Sequence, residues 1–392
     1  MARMANAAGR YPLCMCRLAL LLFGVSLLIP VGAARAVEPS EIEVDLQIAS
    51  VQRLVSLEEA MSILNVPAVS LALIDQDRVA LARAYGAGTT PETFFQAASL
   101  SKFVTAVGAM RLVDAKQIRL DEDVGTRLTS WRIPDNDFDK DHRVTLRGLL
   151  SMTAGIGVPG FAGYAVGQPL PDLNQILDGT PPATSPAVTV VAVPGSSYQY
   201  SGGGYEIVEA LVQDIGQAPF PEIMDDLIFE PAGMTHSTFE QPLPEHREAE
   251  AASGYFGDGK EVPGSWRIVP EHAAGGLWST PTDLANLLIF AGRAWRGESR
   301  LFLAPETARE MFTRQNGGPY GLGAAIAEED GAPVVLKRGQ NVGYQAYLVL
   351  LPGRGQGLVV MTNSDNGSIL AEALIRRAAE IYGWQLPTVL PD

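Results

Sequence analysis

The 392-residue sequence predicts an α+β fold, in which an antiparallel sheet is completed by both ends of the chain and flanked by terminal helices. Short β-rich runs separated by turn residues occur near the start of the chain and again near its end. The stretch between them carries apolar residues mainly at helical spacing, with long irregular connections. We therefore expect a mostly helical lobe inserted into a sheet-bearing part, and we find no internal repeat.

Two regions are expected along the chain. Residues 1–36 form a leader segment, and residues 37–392 form one folded domain. Within that domain, the sheet-bearing part covers about 37–100 and 300–392. The helical lobe and its loops cover about 101–299.

The leader has the three parts of a bacterial export signal. Arg3, Arg10 and Arg17 make it basic, residues 18–31 are apolar, and Ala-Arg-Ala at 34–36 fits the small-x-small cleavage pattern. The apolar part is short for a membrane span, and an uncleaved anchor helix is the alternative. We expect cleavage, a mature protein without a stable membrane span, and a periplasmic location.

Composition argues against some chemistry and some partners. Both cysteines, Cys14 and Cys16, lie in the leader, so the mature chain is expected to have no disulfide and no thiol chemistry. The net charge of −15 argues against a nucleic-acid partner, which needs basic surface. Acidity of this size mainly supports solubility.

The elements of the domain are predicted in chain order. Apolar residues at helical spacing over 41–64 indicate a first helix, which Pro67 ends. Two β-rich runs, 68–74 and 79–85, indicate a hairpin, and a packed helix begins near Ser99. The later elements are a helix that ends near 155, a long Pro- and Gly-rich loop at 159–186, helices at 204–213, 281–294 and 368–382, and strands at 322–327, 334–337, 344–351 and 357–362.

The helix that begins near Ser99 carries the first chemical motif, S-x-x-K. Ser99 and Lys102 are three residues apart, so on a helix they share one face and can touch. The apolar residues that follow would desolvate the lysine, which favours a neutral amine that can act as a base toward serine. A helix start with a solvated lysine is the alternative.

The rarity of lysine makes this motif more informative. The chain has only five lysines against 24 arginines, yet it places Lys102 in the motif. Lysine can lose its proton at a desolvated site, whereas arginine effectively cannot.

Two further clusters contain groups suited to a cleft. Tyr200 lies in the glycine-rich stretch 198–205, which can fix an aromatic ring and aim its hydroxyl at a pocket. Lys337 opens the stretch 337–344, between two predicted strands. A turn with a packed aromatic ring and an ordinary hairpin with an exposed basic pair are the alternatives.

Taken in order, the motifs S-x-x-K, Y-x-x and K-x-G resemble those of the class C β-lactamase and penicillin-binding-protein family, with its related esterases and D-amino-acid peptidases. The resemblance covers residues 68–382, and the stretches 144–155 and 274–280 also look like the family. It implies a β-lactamase/transpeptidase-like fold and an exported serine hydrolase.

The resemblance also implies a role for each motif residue. Ser99 would attack an acyl carbonyl and carry the acyl group, and Lys102 would orient it and shuttle its proton. Tyr200 would be the general base, as a phenolate or through a proton shared with Lys102 and Lys337, and the charge of Lys337 would keep the pKa of Tyr200 low. Backbone N–H groups of Ser99 and Gln340 would form the oxyanion hole. This scheme needs no metal and no cofactor.

Substrate-binding positions implied by the resemblance include two departures from the family pattern. Gly202 stands where the lactamases usually carry an asparagine that touches the acylamino side chain of the substrate. Arg338 stands where they usually carry a threonine; it can supply charge for a substrate carboxylate or point away along the strand. Gly339 and Asn341 complete the expected set. The missing asparagine argues against efficient hydrolysis of penicillins or cephalosporins.

Several functions stay open on the sequence alone. A β-lactam, an ester, a D-amino-acid peptide or an acyl-transfer acceptor all fit the same acyl-enzyme, and specificity is expected in the loops 155–186, 239–269 and 315–320. The chain has no G-x-S-x-G elbow and no H-E-x-x-H pattern, which disfavours an α/β-hydrolase and a metalloprotease. A non-catalytic sensor that binds β-lactams or peptidoglycan fragments is the remaining alternative. The histidines are scattered without ligand spacing: His142, His236, His246 and His272.

Overall fold

The structure of the protein, a computed structural model, describes residues 38–389, so the predicted leader lies outside it. The strands are β1 (Leu46–Gln47), β2 (Leu54–Val55), β3 (Val69–Asp75), β4 (Arg78–Tyr85), β5 (Phe95–Gln96), β6 (Tyr164–Ala165), β7 (Arg267–Ile268), β8 (Trp278–Ser279), β9 (Ala325–Glu329), β10 (Ala332–Asn341), β11 (Tyr344–Leu351) and β12 (Gln356–Thr362). The helices are α1 (Leu57–Leu64), α2 (Leu100–Asp114), α3 (Leu146–Leu150), α4 (Leu173–Asp178), α5 (Gly203–Gly216), α6 (Phe220–Met224), α7 (Glu230–Ala232), α8 (Glu245–Glu248), α9 (His272–Gly275), α10 (Pro281–Arg296), α11 (Pro305–Met311) and α12 (Gly367–Tyr382).

Both ends of the chain build the central sheet. Its six strands are antiparallel and follow the order β4-β3-β12-β11-β10-β9. The N-terminal hairpin joins the C-terminal strands where β3 pairs with β12, from Val69 opposite Thr362 to Ile74 opposite Gly357. The predicted α+β class with a sheet completed by both ends is confirmed. The division near residues 100 and 300 stays a prediction.

The sheet is covered by helices. Every residue of β11 is buried, and β12 is buried from Gly357 to Thr362, because α10 and α12 pack on the central strands. Strands covered on both faces need apolar residues at successive positions, which explains why these strands are mostly apolar. Within residues 38–389, no helix combines the length and the apolar character that a bilayer span needs.

The predicted helix over 41–64 is wrong. This stretch forms a 3₁₀ turn at Pro39–Glu43, the short pair β1 and β2, and only then α1. Ser56 starts α1, since its Oγ accepts from the N–H of Glu59 at 3.2 Å. Buried apolar residues before Ser56 pack against α12 from irregular backbone, so their spacing imitates a helix.

Helix α2 lies at the centre of the molecule, as the apolar run after Ser99 predicts. Every residue from Leu100 to Met110 is buried, because α2 contacts α5, α9 and the strands β10 and β11. This placement buries Lys102, which is only 2% exposed. Strand β10 is longer than the predicted 334–337, since its ladder with β11 continues to Asn341.

Candidate active site

Ser99 occupies the N-cap position of α2, and hydrogen bonds hold the turn that precedes it. The preceding residue, Ala98, adopts a left-handed conformation with φ of 49°. The hydroxyl of Ser101 donates to the carbonyl of Ala98 at 2.5 Å and accepts from the N–H of Leu277 at 3.1 Å. A non-glycine residue in this region persists only when its surroundings enforce it, and such strain concentrates at functional sites.

Lys102 lies one helical turn after Ser99 and bonds to it. Its Nζ donates to Ser99 Oγ at 3.0 Å and to the backbone carbonyl of Ala274 at 2.7 Å. The same Nζ lies 5.2 Å from the ring centroid of Tyr200. The carbonyl of Ala274 therefore holds Nζ of Lys102 beside the serine.

Tyr200 completes the contacts of the serine oxygen. Its hydroxyl donates to Ser99 Oγ at 2.9 Å and accepts from Lys337 Nζ at 3.2 Å. The loop that carries Tyr200 is held in place by the next residue, Ser201, whose hydroxyl donates a hydrogen bond to the carbonyl of Gly157 at 2.7 Å. The structure thus brings the predicted set Ser99, Lys102, Tyr200 and Lys337 together, although they come from separate parts of the chain.

Electrostatics prepare Tyr200 to act near neutral pH. Burial raises the pKa of Tyr200. The charges of Lys102 and Lys337 and the hydrogen bond with Ser99 have a larger, opposite effect, so the pKa falls to about 7. The phenol is therefore near its titration midpoint at neutral pH. In its deprotonated form, the Tyr200 oxygen can accept the proton of the Ser99 hydroxyl instead of donating one to it.

Lys337 has a second partner, which the sequence did not indicate. Its Nζ donates to the hydroxyl of Tyr320 at 3.1 Å, and the Tyr320 ring lies 5.3 Å from that of Tyr198. Burial lowers the pKa of Lys337, and the neighbouring Tyr200 opposes this. Tyr320 falls in the loop 315–320, where specificity is expected, but a single tyrosine between Pro319 and Gly321 forms no recognisable motif.

The backbone of β10 passes very close to the nucleophile. β9 pairs with β10 only from Ala332 to Leu336, so beyond this point that edge of β10 faces the start of α2. A Cβ built on Gly339 would lie 2.6 Å from the carbonyl oxygen of Ala97 and 2.7 Å from Ser99 N. Only glycine allows this approach, which places the next residue, Gln340, beside Ser99 in the cleft.

This close approach gives a testable prediction. Gly339→Ala is expected to lower kcat/KM about 100-fold, because the added carbon would displace backbone that borders the expected oxyanion hole. Ester hydrolysis by the purified variant measures the loss. Gly160→Ala is the matched control, since Gly160 lines the same cleft and an added Cβ would meet nothing within 4 Å. Equal activity of both variants would contradict the proposed hole.

These residues border one open cleft of about 740 Å³. Ser99, Tyr200, Lys337 and the predicted residues Arg338, Gly339 and Gln340 all line it. The other walls are mainly aromatic rings, prolines and polar groups: Tyr198, Tyr320, Tyr347, Pro159, Pro319, Gly160, Gln345, Asp365 and Ser368. A cleft with apolar walls and a few convergent polar groups suits a small acyl substrate.

Two predicted substrate-binding residues lie behind the cleft wall. The Asn341 amide donates to Gln96 Oε1 at 2.8 Å and to the carbonyl of Gly275 at 3.2 Å. Gly202 is the N-cap residue of α5, and a Cβ there would lie 2.9 Å from Cε2 of Phe161. Substrate contacts by these two residues stay a prediction. Among residues 38–389, no group of three or more His, Cys, Asp or Glu side chains is placed to hold a metal ion.

Comparisons with known proteins identify the family of this chain. The family model described as Beta-lactamase matches residues 56–382. Penicillin-binding protein 4 of Amycolatopsis lactamdurans is 27% identical over 350 residues, which cover 83% of this chain and 88% of that protein. The octameric penicillin-binding protein homologue from Pyrococcus abyssi superposes with a TM-score of 0.70 at 25% identity, over 86% of this chain and 78% of that one.

A further solved structure supports the fold alone. The β-lactamase/D-alanine carboxypeptidase from Yersinia pestis, complexed with citrate, gives a TM-score of 0.64 at 18% identity, over 83% of this chain and 96% of that one. The family match spans the sheet, α2 and the cleft. This chain therefore belongs to the Beta-lactamase family.

Proposed function

We propose that this protein is an exported serine hydrolase that cleaves an ester or amide through an acyl group on Ser99. The observation that carries the proposal is the double contact of Ser99 Oγ, with Lys102 Nζ at 3.0 Å and the Tyr200 hydroxyl at 2.9 Å. A nucleophile within hydrogen-bond reach of a base that is itself oriented by a third group is the arrangement that activates serine. Lys337 is that third group, at 3.2 Å from the Tyr200 hydroxyl.

The acylation step follows from these contacts. The Tyr200 phenolate takes the proton of Ser99 as Oγ attacks the acyl carbonyl carbon, and the carbonyl oxygen becomes an oxyanion. Backbone N–H groups of Ser99 and Gln340 bind that oxyanion. The intermediate then collapses, the leaving group takes the proton from Tyr200, and Ser99 holds the acyl group as an ester.

Deacylation reverses the same chemistry with water. Tyr200, again as phenolate, removes a proton from a water molecule that attacks the acyl carbon. Collapse of the second oxyanion breaks the bond to Ser99, which recovers its proton from Tyr200. The charges of Lys102 and Lys337 keep Tyr200 able to cycle between both forms near neutral pH.

The substrate class within this chemistry is an ester more than a β-lactam. Phe161, on the loop over Gly202, occupies the space that a side chain at 202 would need. The cleft therefore lacks an amide at this position for an acylamino group. The names of the relatives, which include a penicillin-binding protein and a β-lactamase/D-alanine carboxypeptidase, keep β-lactams and D-peptides among the candidates.

Two substrates and their covalent products separate these functions. We expect turnover of a short-chain p-nitrophenyl ester and much slower turnover of nitrocefin, followed by absorbance and by intact mass. Comparable nitrocefin turnover would show that Gly202 permits β-lactam hydrolysis. A stable mass adduct without turnover of either substrate would contradict the hydrolase proposal and favour a sensor.

Export is part of the proposal. It is supported by the basic, apolar and small-x-small parts of residues 1–36. The mature chain is expected to begin near residue 37 and to reside in the periplasm. Recovery of full-length protein in the cytoplasmic fraction of the native host would contradict this location.

A further inference from the structure

A cluster of buried ionisable side chains lies behind Lys102, outside the cleft wall. Glu206 and Glu209 of α5 are 0% and 1% exposed, and Glu271 before α9 is 1% exposed. His272 starts α9, which packs on both α5 and α2. Burying a carboxyl group costs free energy unless hydrogen bonds or a charge partner compensate it, and the acylation chemistry does not use these three groups.

The two glutamates on α5 bind the backbone of α9. Glu206 Oε1 accepts from the N–H of Ala274 at 3.1 Å, and Glu209 Oε2 accepts from the N–H of Ala273 at 2.9 Å. The other oxygen of Glu209 lies 2.8 Å from Nδ1 of His272. The N–H groups in the first turn of a helix have no partner within the helix, so these carboxyl groups satisfy them.

The carbonyl groups of Ala273 and Ala274 accept hydrogen bonds from side chains of α2. The Ala273 carbonyl accepts from the hydroxyl of Thr105 at 3.1 Å, and the Ala274 carbonyl accepts from Lys102 Nζ at 2.7 Å. Both donors belong to α2. Ala274 is thus bound through its N–H by Glu206 and through its carbonyl by Lys102, so it joins α5 to the catalytic helix.

In the contact with Ala274, Glu206 acts as a hydrogen-bond acceptor, and this contact does not require a negative charge. Burial, together with the neighbouring carboxylates Glu209 and Glu271, raises the pKa of Glu206 well above its usual range. Its second oxygen, Oε2, is buried without a hydrogen-bond partner among the described residues. A neutral side chain that offers one oxygen to Ala274 N–H would therefore reproduce its contact.

We propose that Glu206 and Glu209 are positioning residues, which fix the Ala274 carbonyl so that Lys102 is aimed at Ser99 Oγ. The inference rests on the proposed function, because it assigns these residues to the same acylation step. Lys102 Nζ has rotatable donors on a flexible stem, so the carbonyl at 2.7 Å determines where its other bond points. A shift of about 1 Å in a catalytic group can cost roughly 100-fold in rate.

The test compares Glu206→Ala with Glu206→Gln. The alanine variant is expected to lower kcat for p-nitrophenyl ester hydrolysis at least about tenfold, because Ala274 loses its acceptor. KM should change less than about twofold, since Glu206 is not in the cleft wall. Glu206→Gln keeps an oxygen at the same place and should retain kcat close to that of the parent protein. Equal loss in both variants, or a parental kcat in Glu206→Ala, would overturn the inference.

A matched control separates positioning from general destabilisation. Asp283 is another buried carboxyl group, which accepts from the N–H of His236 and the hydroxyl of Ser237, both at 2.8 Å. Asp283→Ala should lower the unfolding temperature and leave kcat of the folded fraction unchanged. A kcat loss as large as that of Glu206→Ala would overturn the inference.

A third variant keeps the test decisive if Glu206→Ala does not fold. Glu209→Met has a side chain of similar length but removes the acceptor of the Ala273 N–H group, so kcat should fall with KM unchanged. A parental kcat in that variant would overturn the inference. Hydrolysis that survives in Ser99→Ala would contradict the proposed function itself. Hydrolysis that depends on Ser99 but is unaffected by the variants behind Lys102 would contradict only the positioning role.

Discussion

Ser99→Ala is expected to abolish hydrolysis, with kcat reduced about 10⁴-fold or more, because the proposed mechanism attaches the acyl group to Ser99 Oγ. The serine oxygen accepts both the Lys102 and Tyr200 contacts, so its removal also leaves those groups without their shared partner. Turnover of the ester and the mass of the trapped acyl adduct are the two measurements. The variant should show neither turnover nor adduct.

The control for this prediction is a serine outside the cleft. Ser196 lies in an exposed turn, where its hydroxyl donates to the carbonyl of Val193 at 2.6 Å. Ser196→Ala should keep parental kcat and adduct formation. Folding of both variants is checked by their unfolding temperatures. Residual turnover above about 1% in folded Ser99→Ala would rule out the acyl-Ser99 mechanism, since the residual rate without a nucleophile is far lower.

Tyr200→Phe is expected to lower kcat by about 10²–10⁴-fold, the usual contribution of a positioned general base. The phenyl ring still fills its place beside Lys102, so only the oxygen between Ser99 and Lys337 is lost. Steady-state ester hydrolysis measures the effect. Tyr198→Phe is the matched control in the same loop, because burial raises the pKa of Tyr198 to about 12 and keeps it protonated.

The pH dependence gives the sharper result for the same residue. Since the active form is the phenolate and the pKa of Tyr200 is about 7, kcat/KM of the parent protein should rise as pH increases through about 7. Burial also lowers the pKa of Lys337, so loss of its proton should produce a falling limb at alkaline pH. The rise should disappear in Tyr200→Phe. A rise that persists would contradict this assignment and favour Glu271, whose pKa burial raises to about 7.

The sequence by itself determined the fold class and the identity of the central side chains. The pairing of Ser99 with Lys102 needs only helical geometry over three residues, so spacing reveals it. Tyr200 and Lys337 are indicated only when their motifs are taken in order with S-x-x-K, as a resemblance to the family, because each motif alone also fits an ordinary turn or hairpin. The helix expected over 41–64 shows the limit, since short buried segments with irregular backbone can present apolar residues at helical spacing.

Only the tertiary structure decided which groups surround those side chains. Lys102 is held by the carbonyl of Ala274, and any residue type supplies a carbonyl, so no sequence pattern announces it. Glu206 stands in an apolar run of α5, where an unexpected charge hints at a buried role but does not name its partner. Such contacts join segments far apart in the chain, and they form when the helices pack around α2 to bury their apolar faces. The physical reason is that local spacing fixes neighbours along a helix, whereas packing alone fixes neighbours across the core.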